Sequence, residues 1–143
     1  MRAHSDAVNA VRLFVSEQGG ISVKCTTGMF RQMDGERPIR IGEPGTPDVV
    51  ACLGGLFFGI EVKFSDDDKV KDDQRRKGSA IGAAGGVWVV ADFRFGRDGI
   101  EPVRRALEKS LNKTSNIIRN WADDYGVELH PNLLPILVGE LHP

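Results

Sequence analysis

The chain has 143 residues, 41% of them apolar and 27% charged, with a formal net charge of −1, which suits one domain able to bury a core. No apolar run approaches the ~20 residues of a membrane span, and the N-terminus lacks the apolar stretch of a secretory signal. Two cysteines are too few for a disulfide framework, so Cys25 and Cys52 read as buried or inert thiols of a cytoplasmic protein with no membrane partner.

The near-neutral balance counts mildly against a polyanion binder. Locally, however, Lys69, Lys71, Arg75, Arg76 and Lys77 crowd one segment, and Arg94, Arg97, Arg104 and Arg105 crowd another. Solvated helix faces explain such clusters as well as a nucleic-acid surface does. His4, His130 and His142 are scattered and give a zinc site little to work with.

In chain order, residues 5–17 read as a helix: Ala7, Val8, Val11, Phe14 and Val15 recur at helical spacing, Ser5 can cap the start and Gly19-Gly20 ends the run. A short strand follows at 21–25, then a polar loop over 26–37 with a turn at Asp34-Gly35. A second short strand, 38–41, precedes the turn Gly42-Glu43-Pro44-Gly45.

Residues 49–53 and 56–63 are strand-like runs separated by Gly54-Gly55, a two-residue hairpin signal. A helix is expected over 67–83 and a buried strand over 87–91. Strand, helix and strand joined by short links imply a right-handed crossover and parallel pairing. Two further helices, near 101–111 and 115–125, lead to an apolar tail at 133–141 broken by Pro131 and Pro135. The tail suits either an interface between copies or completion of the chain's own core.

The central hairpin carries the chemistry. With Gly54 and Gly55 as loop residues, Leu53 faces Leu56, and counting outward sets Asp48 opposite Glu61. Like charges so placed are destabilising without a cation, and a hard divalent ion such as Mg²⁺ or Mn²⁺ suits two carboxylates. Strand alternation puts Lys63 on the same face as Glu61, with the Val62 carbonyl near the edge of the same site. An isolated Glu-x-Lys is usually a pair on a wet sheet face. Here the strand is otherwise apolar, and Asp48 stands behind Pro47 at the facing position.

On the following helix, Val70, Gln74, Lys77 and Ile81 fall on one stripe, so Gln74 and Lys77 interrupt an apolar face. A buried glutamine needs partners: backbone groups at a sheet edge, or the polar site. The Asp66–Asp68 run reads as a helix start or as a shaper of nucleic-acid entry.

Gly45-Thr46-Pro47-Asp48, then Glu61-Val62-Lys63, then Gln74 together resemble the PD-(D/E)xK nuclease superfamily, and within it the VRR-NUC family, over roughly residues 5–92. The resemblance implies an α/β fold with a restriction-endonuclease-like core over residues 1–100, a mixed central sheet flanked by helices, and a helical C-terminal extension over 101–143. It implies Asp48, Glu61 and the Val62 carbonyl as ligands of Mg²⁺ or Mn²⁺. Lys63 would orient the attacking water or help deprotonate it, and Gln74 would support that water or the phosphate.

An acid on the first helix is implied as well. Asp6 matches that place best, although Glu is the usual residue there and a first-turn acid is also favoured by the helix dipole. Glu17 shares Asp6's face about 16 Å further along the axis. Lys77, Arg75 and Arg76 are the expected nucleic-acid contacts.

The expected activity is metal-dependent phosphodiester hydrolysis by a structure-specific DNA endonuclease acting on branched DNA, four-way (Holliday) junctions or flaps. The resemblance further implies a homodimer without nucleotide cofactor, phage-encoded and working in the host cytoplasm. The competing reading is a non-catalytic nucleic-acid-binding module that keeps the fold. A third is an interaction protein whose Asp and Glu are incidental.

Overall fold

The structure, a computed structural model, describes residues 2–31, 35 and 37–129. The predicted turn residue Asp34, His130, His142 and the apolar tail lie outside the described residues. The chain divides into two compact units, one ending at Val103 and the other beginning at Arg104.

In the first unit the order is α1 (Arg2–Glu17), β1 (Ile21–Lys24), β2 (Gly28–Arg31), β3 (Pro38–Ile41), β4 (Val49–Leu53), β5 (Leu56–Lys63), α2 (Asp72–Ala83) and β6 (Val87–Asp92), with a short 3₁₀ turn at Arg94–Gly96. The main sheet runs β1-β4-β5-β6. Its first three strands are antiparallel and β6 joins β5 in parallel. This is the mixed central sheet flanked by helices that the sequence predicts.

The Gly54-Gly55 turn fixes its register. Both glycines have positive φ, 60° and 76°, the pairing of a type I′ turn whose twist matches the flanking strands. Leu53 pairs with Leu56 and Val49 with Ile60, as counted.

One sheet face, Val49, Ala51 and Leu53 of β4 with Phe58, Ile60 and Val62 of β5, is buried. The inward stripe of α1 (Ala7, Val8, Val11, Phe14, Val15) packs against these strands. Each fully buried side chain of this kind contributes about 1.5–3 kcal/mol.

The other face takes α2. Gly59 of β5 lies under Ile81, and Gly78 of α2 sits on the ring of Trp88 of β6. A Cβ at Gly78 would meet the indole at 2.4 Å, so Gly78→Ala should cost about 1–3 kcal/mol by overpacking, read as a lower urea midpoint with unchanged m-value.

Several expectations are corrected. Residues 28–31, predicted as loop, form a strand paired with β3 in a separate two-stranded sheet. Its Met29 and Phe30, like Ile39 and Ile41 opposite, stay exposed, so pairing rather than burial makes it a strand and no amphipathic pattern announces it. The second helix begins at Asp72, not 67: Asp68 N–H closes a turn on Ser65, and the Asp66 carboxylate accepts from Phe95 N–H at 3.0 Å.

The two predicted helices are one, α3 (Glu101–Tyr125). No Gly or Pro interrupts 112–114, and the Ser110 and Thr114 hydroxyls donate back to the carbonyls of Ala106 and Ser110. Of the cysteines, Cys52 is exposed and Cys25 is half-buried, its thiol pushed up chiefly by burial. No helix among the described residues is long and apolar enough to cross a membrane.

Candidate active site

Asp48 stands one residue before β4, behind a loop that Gly45 makes possible. Gly45 has φ 80°, and a Cβ there would press within 2.4 Å of the Asp73 carbonyl on α2, so only glycine lets the loop lie this close. The Asp48 carboxylate, 26% exposed, accepts from Val62 N–H through Oδ2 at 2.8 Å. That bond extends the β4–β5 pairing one step beyond the strand and anchors the carboxylate to β5.

Lys63 accepts from Phe93 N–H on the β6 side. By alternation, the Val62 carbonyl therefore faces the opposite edge, where its own amide already holds Asp48.

Glu61 and Lys63 project together on the α2 face, 2% and 3% exposed. Lys63 Nζ lies 3.2 Å from Glu61 Oε1 and 3.3 Å from Asp68 Oδ1. Gln74 Nε2 also donates to Glu61 Oε1. Glu61 Oε2 is buried with no hydrogen-bond partner among the described residues. Burial, and then the neighbouring Asp48 charge, raise the Glu61 carboxyl to about 7, while Lys63 pulls it down. Burial beside a second carboxylate thus favours the neutral form of Glu61, a preference that a bound cation would reverse.

Gln74 points into the polar site, and the backbone group it also satisfies is at a helix start rather than a sheet edge. At the third position of α2 its Oε1 accepts from Lys71 N–H at 2.8 Å, capping the helix start, while its amide nitrogen reaches Glu61. The stripe that singled it out is shorter than predicted, since Val70 precedes the helix.

The remaining candidates lie elsewhere. Lys77 pairs with Glu43 at 2.9 Å and Arg75 with Asp72 at 2.9 Å, while Arg76 is exposed. Asp6 and Glu17 are exposed on α1; the residue α1 brings to Asp48 is His4, with Nε2 3.9 Å from Asp48 Oδ1.

Two participants were missed from sequence. His4 continues the buried Val8, Val11 and Val15 stripe by one turn, a misplaced polarity of the same kind that flagged Gln74. Asp68 left no such signal, because its approach to Lys63 depends on how the 64–71 segment folds back. Arg40, not singled out from sequence, and Lys71 line a cleft of about 240 Å³ beside Gln74, between β2–β3 and the start of α2.

A second carboxylate-centred cluster closes the end of β6. Asp92 holds Arg94 through two contacts, at 2.7 and 3.0 Å, and Arg97 at 2.8 Å, which lowers its carboxyl to about 2. Arg94 also donates to the Asp68 carbonyl at 2.8 Å, bracing the segment that carries Lys63's partner.

Among the described residues, no three His, Cys, Asp or Glu side chains already converge as an ion-binding group. The donors at Asp48 and Glu61 nonetheless fit a hard divalent ion: two carboxylates, one with a buried unpartnered oxygen, beside a strand-edge carbonyl.

No family model and no curated protein matches the chain. Among solved structures, one described as a VRR_NUC domain is similar at 22% identity and a TM-score of 0.44, over 64% of this chain and 86% of that one. The likeness is low, and the functional reading rests on the side chains themselves.

Proposed function

We propose that this chain is a divalent-metal-dependent nuclease of the PD-(D/E)xK, VRR-NUC kind. The observation that carries the reading is Glu61: a buried carboxylate, raised to about 7 against Asp48, with one oxygen unpartnered and the other held by Lys63 and Gln74. A structural carboxylate would be fully hydrogen-bonded. Perturbed, half-satisfied groups mark sites built for a ligand.

Asp48, Glu61 and the Val62 carbonyl would hold Mg²⁺ or Mn²⁺. Such an ion supplies positive charge at a scissile phosphate and acidifies water. Lys63, fixed between Glu61 and Asp68 before substrate arrives, orients the attacking water or assists its deprotonation. Gln74, anchored at the start of α2, keeps Glu61 in place and offers its amide to water or phosphate.

Arg75, Arg76 and Lys77 lie on α2 as backbone contacts. The present pairs of Arg75 and Lys77 are worth about 0–1 kcal/mol each and exchange readily for phosphate. The expected substrate is branched DNA, four-way junctions or flaps. The expected assembly is a homodimer.

The test combines thermal melts with and without Mn²⁺ and a Mg²⁺ cleavage panel of single strands, duplex, nicked duplex, flaps and four-way junctions, each on the parent and on Asp48→Ala. Ion at about a hundred times its Kd should stabilise the parent by about 2.7 kcal/mol and the variant not at all. The parent alone should cut. DNA binding without Mn²⁺ stabilisation or cleavage by the parent would instead establish the binding-module reading.

A further inference from the structure

The first helix delivers an imidazole, not a carboxylate, to Asp48. We propose that His4 is a nitrogen ligand of the divalent ion held by Asp48 and Glu61, and that it tilts the site from Mg²⁺ toward Mn²⁺. The proposal rests on the metal-dependent reading above and adds to it the residue that sets metal preference.

His4 sits on the buried side of α1, in line with Val8, Val11 and Val15, all fully buried. Asp6, two residues on, is turned about 200° around the helix from His4 and is exposed. The imidazole is held edge-on against Phe64, centroids 5.3 Å apart and planes at 62°, with its side chain 37% exposed. Phe64 directly follows Lys63, so β5 positions both the carboxylate Glu61 and the seat of the histidine ring.

The spacing to Asp48 is informative. Asp48 Oδ2 is engaged by Val62 N–H, and the other oxygen, Oδ1, stands 3.9 Å from His4 Nε2. That gap is too long for a hydrogen bond. It is also shorter than the sum of a metal–nitrogen and a metal–oxygen bond, each roughly 2.0–2.2 Å, so one ion can touch both atoms without backbone movement. The unpartnered Glu61 Oε2 supplies an independent, buried donor beside Asp48.

Mg²⁺ prefers oxygen and sheds water reluctantly, whereas imidazole suits metals further along the transition series. An imidazole in an otherwise oxygen-lined site therefore favours Mn²⁺ over Mg²⁺.

The test uses the full chain, with Mn²⁺ binding followed by electron paramagnetic resonance and Mg²⁺ binding by competition, on the parent, His4→Ala, His4→Glu and Asp48→Asn. Bound Mn²⁺ in the parent should show directly coordinated ¹⁴N in pulsed spectra, and His4→Ala should lose that signal. Loss of an outer-shell partner typically costs 10–100-fold in metal affinity, so His4→Ala should weaken Mn²⁺ at least about tenfold while Mg²⁺ shifts by less than about threefold. His4→Glu should restore binding with the preference moved toward Mg²⁺.

Metal-free melts of the His4 variants should match the parent, because the side chain is half exposed at the start of a helix. Unchanged Mn²⁺ affinity and ¹⁴N signal in His4→Ala, with binding still lost in Asp48→Asn, would overturn the role of His4 and leave the ion site standing. Absence of Mn²⁺ binding by the parent, or its survival in Asp48→Asn, would overturn the underlying metal reading itself.

Discussion

Lys63→Met should lower phosphodiester cleavage by about 10²–10⁴-fold while Mn²⁺ binding at pH 8 stays within a few-fold of the parent. The magnitude is that of a positioned proton-handling group. The separation from binding follows from chemistry, since an ammonium is not a ligand. Methionine keeps most of the buried stem, which is 3% exposed, so packing loss should stay small.

Two carboxylates lose a partner in the variant. Glu61 keeps Gln74, whereas Asp68 loses the contact that ties the 64–71 segment to β5. Lys63 lowers the Glu61 carboxyl in the parent, so its removal should also move metal loading to higher pH. For that reason binding is compared at pH 8. Single-turnover cleavage on the preferred substrate, with Mn²⁺ affinity measured in parallel, is the check. Parent-level cleavage by Lys63→Met would sink the proposed role.

Glu61→Gln should have opposite effects on stability and on function. In the folded protein the Glu61 carboxyl is raised from 4.5 to about 7, burial being the main cause and Asp48 the next. Between those values the folded chain holds a proton that the unfolded chain has released. Stability of the metal-free protein therefore falls as pH rises from about 4.5 to about 7, and the deficit is complete above 7.

The deficit is on the order of 3 kcal/mol. A glutamine can accept from Lys63 and Gln74 through its oxygen and turn its amide toward Asp48, so it removes the penalty without leaving a hole. The difference between parent and variant unfolding free energies, measured by urea titration at pH 5, 6, 7 and 8, should grow in the variant's favour across that window and then level off. Mn²⁺ should stabilise the parent and leave the variant unchanged. A difference flat with pH would show that Glu61 does not carry the proton. Such a variant, more stable yet unable to load metal, is what a site built for a ligand produces.

Several of these features were legible in the sequence because they depend on short-range geometry. The Gly54-Gly55 turn determined which residues of β4 and β5 face one another, and the two-residue period of a strand then placed Asp48, Glu61 and Lys63. Gln74 stood out as a polar residue on an apolar stripe, although the helix that carries it starts later than periodicity suggested. Strand β2 was not legible, since its Met29 and Phe30 are exposed and their pattern has no burial to report. His4 was legible in principle, as a polar residue one turn before the buried Val8 on the same stripe.

By itself, then, the sequence determined the hairpin, its register and the carboxylate–lysine face, consequences of backbone periodicity near a turn, and the parallel crossover to β6, a consequence of strand–helix–strand order. Only the tertiary structure decided the environment of that face. Burial of Glu61 requires α2 to cover β5, the pairing of Lys63 with Asp68 requires the 64–71 segment to fold back under Arg94, and the approach of His4 to Asp48 requires α1 to cross the end of the hairpin from more than forty residues away. The first set is local and periodic. The second depends on how separate elements pack, and packing is where a facing Asp–Glu pair becomes a candidate active site.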